Sequence, residues 1–172
     1  MDQEEILDNY DGVVKGLPEV VRIEPASLCN LKCIHCPTGI IRERKYRGIM
    51  SLDTFEIITK EFQYIKPRVV VLYHGGEPFL NKNIFHMIRQ VKNLGISFVK
   101  TVTNGMLITE EMLGEIIESR IDSIEFSLDG KTADENNRIR AGSDYNKVSF
   151  LIKKLIELKH ELNSPTPDCR RE

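Results

Sequence analysis

Apolar residues along this chain follow two periods that alternate. Val20 to Glu24 (VVRIE) is short, β-branched and partly alternating, which predicts a strand. A long polar loop follows. Ser51 then stands as an N-cap before Leu52, Phe55, Ile58, Phe62 and Ile65, which recur at helical spacing until Pro67 stops the pattern. Arg68 to Tyr73 (RVVVLY) is a continuous apolar run, as in a strand covered on both faces. Ile84, Met87, Ile88, Val91 and Leu94 give a second helix face, with Gly95 as its C-terminal glycine. Ile96 to Val102 predicts a third strand. Thr109 is placed to cap a third helix, with Met112, Leu113, Ile116 and Ile117 inward. Ile121 to Leu128 holds the fourth strand. A fourth helix from about Tyr145 to about Leu162 turns Val148, Leu151, Ile152, Leu155 and Ile156 inward.

Strands alternating with helices predict an α/β fold with a parallel sheet. A doubly wound open sheet and part of a TIM-like β/α barrel share that periodicity. The loops favour the barrel. LCNLKCIHCP follows the first strand, HGGEP the second, TNG the third and SLDG the fourth. Parallel β/α folds place their chemistry at the C-terminal ends of strands. An open sheet gathers ligands mainly at one switch point, whereas here consecutive strands feed one site. The expected organisation is an N-terminal segment over residues 1–19, a core over 20–162 and an irregular tail over 163–172. The tail is Pro-rich and polar (NSPTPDCRRE), which is poor strand material.

Composition narrows the class. The chain has 172 residues, 41% hydrophobic and 29% charged, which is the balance of a globular domain with a real core. A net charge of −2 with dispersed Lys and Arg argues against a nucleic-acid or anionic-membrane partner. No apolar run reaches membrane-spanning length. The acidic start, MDQEEILDNYDG, lacks the pattern of a signal peptide, so a cytoplasmic location is expected.

Three of the four cysteines, Cys29, Cys33 and Cys36, fall within eight positions. In a reducing compartment that clustering reads as metal binding or catalysis rather than a disulfide framework. Thiolates suit zinc, copper(I) or iron–sulfur clusters. Structural zinc normally needs four closed ligands. The local set is three thiols plus His35, whose position beside Cys36 makes joint ligation of one ion awkward. Cys169 stands apart in the tail. Three thiolates on a four-iron cluster leave one iron open to a small-molecule ligand.

The stretch Cys29-Asn30-Leu31-Lys32-Cys33-Ile34-His35-Cys36-Pro37 resembles the cluster motif of the radical S-adenosylmethionine (radical SAM) superfamily, in particular the core of its peptide-modifying, SPASM-type members. The other strand-end motifs match in order and position, over roughly Val20 to Leu158. The resemblance implies a [4Fe–4S] cluster on Cys29, Cys33 and Cys36. Its free iron would chelate S-adenosylmethionine, and reductive cleavage would yield a 5′-deoxyadenosyl radical for hydrogen abstraction. It also implies cofactor contacts. Gly75, Gly76 and Glu77 would receive the methionine amino group, since glycines allow close backbone approach. Asn104 would line the adenosine pocket. Ser127 and Asp129 would contact the cofactor, Arg140 would pair with its carboxylate, and His35 would border the adenine. Arg138 reads as a solvated helix charge. A reducing partner such as flavodoxin or ferredoxin is implied, with a substrate left open, a peptide being one candidate. The family core has six strand–helix units, and about four are legible here, so the chain reads as a partial barrel truncated at its C-terminal end. The alternatives are a cluster- and cofactor-binding module without its own catalysis, and a structural zinc protein.

Overall fold

The computed structural model describes residues 16–40 and 47–171. The N-terminal segment expected over residues 1–19 lies mostly outside these. Five strands form one sheet in the order β1-β2-β3-β4-β5, with every neighbouring pair parallel. The strands are β1 (Val20–Arg22), β2 (Val69–Val71), β3 (Phe98–Thr103), β4 (Ser123–Phe126) and β5 (Asp168–Arg171). Spatial order follows chain order, so the sheet has no point where the winding reverses. That feature separates the β/α-barrel arrangement from a doubly wound sheet. The sheet is an open, partial barrel.

Helices occupy the crossovers: α1 (Leu52–Lys60), α2 (Phe62–Ile65), α3 (Ile84–Asn93), α4 (Met112–Glu118), α5 (Ala133–Ile139) and α6 (Tyr145–Glu161). Ser51 caps α1 as expected, its side chain accepting from the Thr54 amide, an arrangement worth about 1 kcal/mol. The single helix expected up to Pro67 is two. It breaks at Glu61, and Lys66 closes α2 in the left-handed region at φ 45°. Gly95 does end α3, at φ +80°. Thr109 is not the cap of α4: Glu111 holds that position, and Thr109 instead opens a preceding turn in which the Met112 amide donates to its carbonyl.

One apolar core fills the space between sheet and helices. Val70, Leu72, Val99, Ile124 and Phe126 from the sheet meet Phe55, Ile84, Met87, Ile88 and Val91 from α1 and α3. Leu113, Ile116, Val148, Leu151 and Leu155 from α4 and α6 complete it. Each such side chain contributes about 1.5–3 kcal/mol by leaving water. Because side chains alternate along a strand, Lys100, Val102, Glu125 and Ser127 belong to the opposite face. There Lys100 and Glu125 pair at 2.7 Å.

Two further differences from the sequence pattern lie in the C-terminal half. The tail is not wholly irregular. β5 pairs with β4 in parallel register, Ser123 with Asp168 through Phe126 with Arg171. The prolines that made this segment look strand-poor, Pro165 and Pro167, both precede β5 and cost it no ladder hydrogen bond. Second, α5 is a helix that the apolar periodicity does not outline, and it carries the expected helix charge Arg138. Its signal is the Thr-x-x-Glu pattern of a capping box, Thr132-Ala133-Asp134-Glu135: the Thr132 hydroxyl accepts from the Glu135 amide, while the Glu135 carboxylate reaches one residue past the cap and accepts from the Lys131 amide.

Candidate cofactor site

All the strand-end motifs meet in one cavity of about 380 Å³ at the C-terminal edge of the sheet. Cys29, Cys33, Cys36 and His35 line it from the loop after β1. Gly75, Gly76 and Glu77 line it from the loop after β2, Asn104 from that after β3, and Ser127 and Arg140 from beyond β4. Of the expected residues only Asp129 is not in the wall, and it reaches the cavity through Arg140. Their Arg140 Nε to Asp129 Oδ2 distance is 2.6 Å, an ion pair too misaligned to count as a hydrogen bond. Arg138 is exposed, in accord with a solvated charge.

The cysteine loop is held from two sides. The Lys32 amide donates to the Ala141 carbonyl at 2.9 Å and the Ile34 amide to the Ile139 carbonyl at 3.0 Å. These bonds fasten the loop to the segment that carries Arg140. On the other side Asn104 Nδ2 donates to Asn30 Oδ1 at 2.9 Å and lies 3.7 Å from the Cys29 sulfur. Underneath, the buried Asn81 side chain donates to the Pro25 and Met50 carbonyls at 2.9 and 3.0 Å. Burial pushes the Cys29 thiol up, partly offset by the Leu31 amide. Burial also raises Cys33, partly offset by the positive charge of Arg140. Both thiols therefore surrender protons on binding a metal.

The donor set fits an iron–sulfur cluster. The three thiols line one cavity and feel one another's charge. Three thiolates can each meet a separate iron and leave a fourth iron open, whereas structural zinc normally takes four closed ligands. Cys169 takes no part. It is paired with Ile124, shares that residue's core-facing side of the sheet, and packs against the core.

The glycine segment is tightly constrained. A Cβ on Gly76 would collide with the carbonyl oxygens of Ala26 and Leu28, so only glycine fits there. Glu77 is buried, and its carboxylate is already engaged. One oxygen accepts from the Phe79 amide at 3.1 Å and the Thr103 hydroxyl at 2.7 Å, the other from the Asn104 amide at 2.8 Å. It ties the loop after β2 to that after β3. Burial raises its pKa against these three donors.

The sequence reading missed several residues here. Tyr73, Leu31 and Val102 supply the apolar wall. Asn136, fully buried, accepts from the Asp129 amide and so shapes the turn carrying that residue. Glu24 accepts from the amides of both Gly75 and Gly76, at 2.6 and 3.1 Å. The signal for Glu24 was available, because it ends the first predicted strand and strand ends are where the other motifs lie.

Comparison with known proteins agrees with this geometry. A GTP 3′,8-cyclase of Desulforamulus reducens is 29% identical over 156 residues, covering 90% of this chain and 46% of the relative. The tungsten-containing aldehyde ferredoxin oxidoreductase cofactor-modifying protein of Pyrococcus furiosus is 32% identical over 151 residues, covering 84% of this chain and 40% of the relative. The chain thus spans less than half the length of these relatives. Among solved structures, Streptococcus suis SuiB bound to the precursor peptide SuiA superposes with a TM-score of 0.73 at 20% identity, over 98% of this chain and 36% of SuiB. BtrN in complex with AdoMet and 2-DOIA gives 0.70 at 19% identity, over 92% of this chain and 58% of BtrN. The family model of the radical SAM superfamily matches residues 23–164. By that match, which includes the three cysteines and every strand-end motif, the chain belongs to the radical SAM superfamily.

Proposed function

We propose that this chain holds a [4Fe–4S] cluster through Cys29, Cys33 and Cys36, binds S-adenosylmethionine beside it and takes part in radical hydrogen abstraction from a substrate. The carrying observation is the single cavity that joins the three thiols to all the other strand-end motifs. When bound, the cluster supplies the electron that cleaves S-adenosylmethionine to methionine and a 5′-deoxyadenosyl radical.

The chain's own residues bind and orient. Arg140 offers a guanidinium to the methionine carboxylate, its Nε edge steadied by Asp129. The Gly75–Gly76 backbone faces the amino group. Asn104, held by Asn30, borders the adenosine together with Ser127 and His35. Leu31, Val102 and Tyr73 exclude water from one side. Glu77 also has a structural part beside the expected contact. Its three donors make it a brace between two loops, so its part in amino-group binding runs through the backbone it positions.

A peptide is the substrate class we put forward, supported by SuiB bound to its precursor peptide and by anSMEcpe bound to AdoMet and the Cp18Cys peptide. The GTP 3′,8-cyclase relatives make a purine nucleotide the alternative. A flavodoxin- or ferredoxin-type protein would provide the electron. Among the described residues no helix is long and apolar enough to cross a membrane, in keeping with a cytoplasmic setting.

The test is anaerobic reconstitution with iron and sulfide, then dithionite and S-adenosylmethionine, with products separated chromatographically. Methionine and 5′-deoxyadenosine in equal amounts are expected. A protein that takes up the cluster yet releases neither would leave only a binding module. One that holds a single zinc and no sulfide would overturn the reading.

A further inference from the structure

The loop after β2 presents three consecutive amides, those of Gly75, Gly76 and Glu77, to the loop after β1. The first two donate to the same Glu24 oxygen, at 2.6 and 3.1 Å. The third donates to the Leu28 carbonyl at 2.7 Å. Successive amides converging on one point form a nest that ordinarily binds an anion. Here the chain's own carboxylate fills it.

That occupancy has a directional consequence. The peptide bonds of this segment are trans. In a planar trans peptide the N–H and the preceding C=O point in opposite directions. With the Gly75 and Gly76 amides turned to Glu24, the carbonyls of His74 and Gly75 turn away from it. His74, Gly75, Gly76 and Glu77 are among the cavity-lining residues, and Glu24 is not. The two amides are thus committed to Glu24, and the carbonyls that precede them are left as the uncommitted groups of a segment lining the cavity. Gly75 sits close against this arrangement, since a Cβ there would meet Thr38 Oγ1 at 3.2 Å and Glu24 Oε1 at 3.5 Å.

We propose that Glu24 is a positioning residue that sets the polarity of the glycine wall, making it an acceptor for an ammonium group instead of a nest for an anion. The inference rests on the proposed function and deepens it. The proposed function already sets ammonium at the glycine wall and carboxylate toward Arg140; Glu24 is the residue that holds the wall to that arrangement. Without Glu24 the two amides are free to turn inward, and the wall loses its preference for a cation.

The test compares binding of S-adenosylmethionine and of 5′-methylthioadenosine, which keeps the nucleoside and sulfur but lacks the amino-acid end. Reconstituted wild type, Glu24→Ala and Glu24→Gln are used, with iron content measured for each. Glu24→Ala should weaken S-adenosylmethionine binding by about tenfold or more, the loss of one charge-assisted hydrogen bond. Binding of 5′-methylthioadenosine should change less than about twofold. Glu24→Gln keeps an acceptor oxygen and should recover most of the loss. Equal weakening of both ligands, or of neither, overturns the proposal. A second measurement needs neither cluster nor ligand: amide hydrogen exchange at Gly75 and Gly76 in the apo-protein. Faster exchange at these two amides in Glu24→Ala supports the assignment, and unchanged exchange overturns it. If wild type takes up no iron and binds no S-adenosylmethionine, the proposed function fails, while the exchange result still decides the role of Glu24.

Discussion

At the scale of single residues, the site depends on polar groups whose partners are far away in sequence. Glu77 is the clearest case. The resemblance of Gly75-Gly76-Glu77 to the family's glycine segment implied a cofactor contact for it. It could not show that Thr103, at the end of β3, and Asn104, just beyond it, would both donate to its carboxylate. Three donors stabilise the charge, but burial outweighs them and the native pKa lies above the ordinary range. The folded state then holds this proton more tightly than the unfolded chain. Its contribution to stability is complete below the unfolded value of about 4.3 and declines as pH rises through the raised native value. In urea titrations across pH, wild type should therefore lose stability relative to Glu77→Gln as pH rises over that window. A constant difference between the two, or one of opposite slope, would show that burial does not dominate at Glu77. The cysteines were legible for the opposite reason. Their spacing is local, and the chemistry of three thiols in eight positions does not depend on the rest of the fold.

At the scale of elements, periodicity located four strands and four main helices because each has one face buried in a common core. It failed where local chemistry outranks periodicity. α5 is short and has few apolar residues, so it was visible only through its capping box. The break at Glu61 leaves the apolar spacing of α1 and α2 intact, and periodicity runs through it. β5 was obscured by its flanking prolines, although its own four residues carry none. That strand also settles the fourth cysteine. Cys169 lies on the core-facing side of β5, while the cavity lies at the strand ends and on the other face. Cys169→Ala should retain full iron and sulfide after reconstitution and cost about 1 kcal/mol in stability, as for a small buried side chain. Cys29→Ala, Cys33→Ala and Cys36→Ala should each lose the cluster. Iron loss in Cys169→Ala, or iron retained in any of the other three, would contradict the ligand assignment.

At the scale of the molecule, the barrel-like reading came from an argument about placement: motifs after four consecutive strands require those strand ends to be neighbours. The sheet order bears this out, and a fifth parallel strand continues it. What the strand pattern did not reveal is how the loops are fastened together. Glu24 with the glycines, Glu77 with Thr103 and Asn104, and Lys32 and Ile34 with the Arg140 segment link the four loops that line the cavity. The linked loops bring the three thiols to one cavity with room beside them, which is the arrangement a cluster with one open iron needs. The most direct test of that claim is the electron paramagnetic resonance spectrum of the reconstituted, dithionite-reduced protein before and after adding S-adenosylmethionine. A reduced four-iron signal that shifts when S-adenosylmethionine binds at the open iron is expected. A spectrum unchanged by S-adenosylmethionine, or no cluster signal at all, would contradict it.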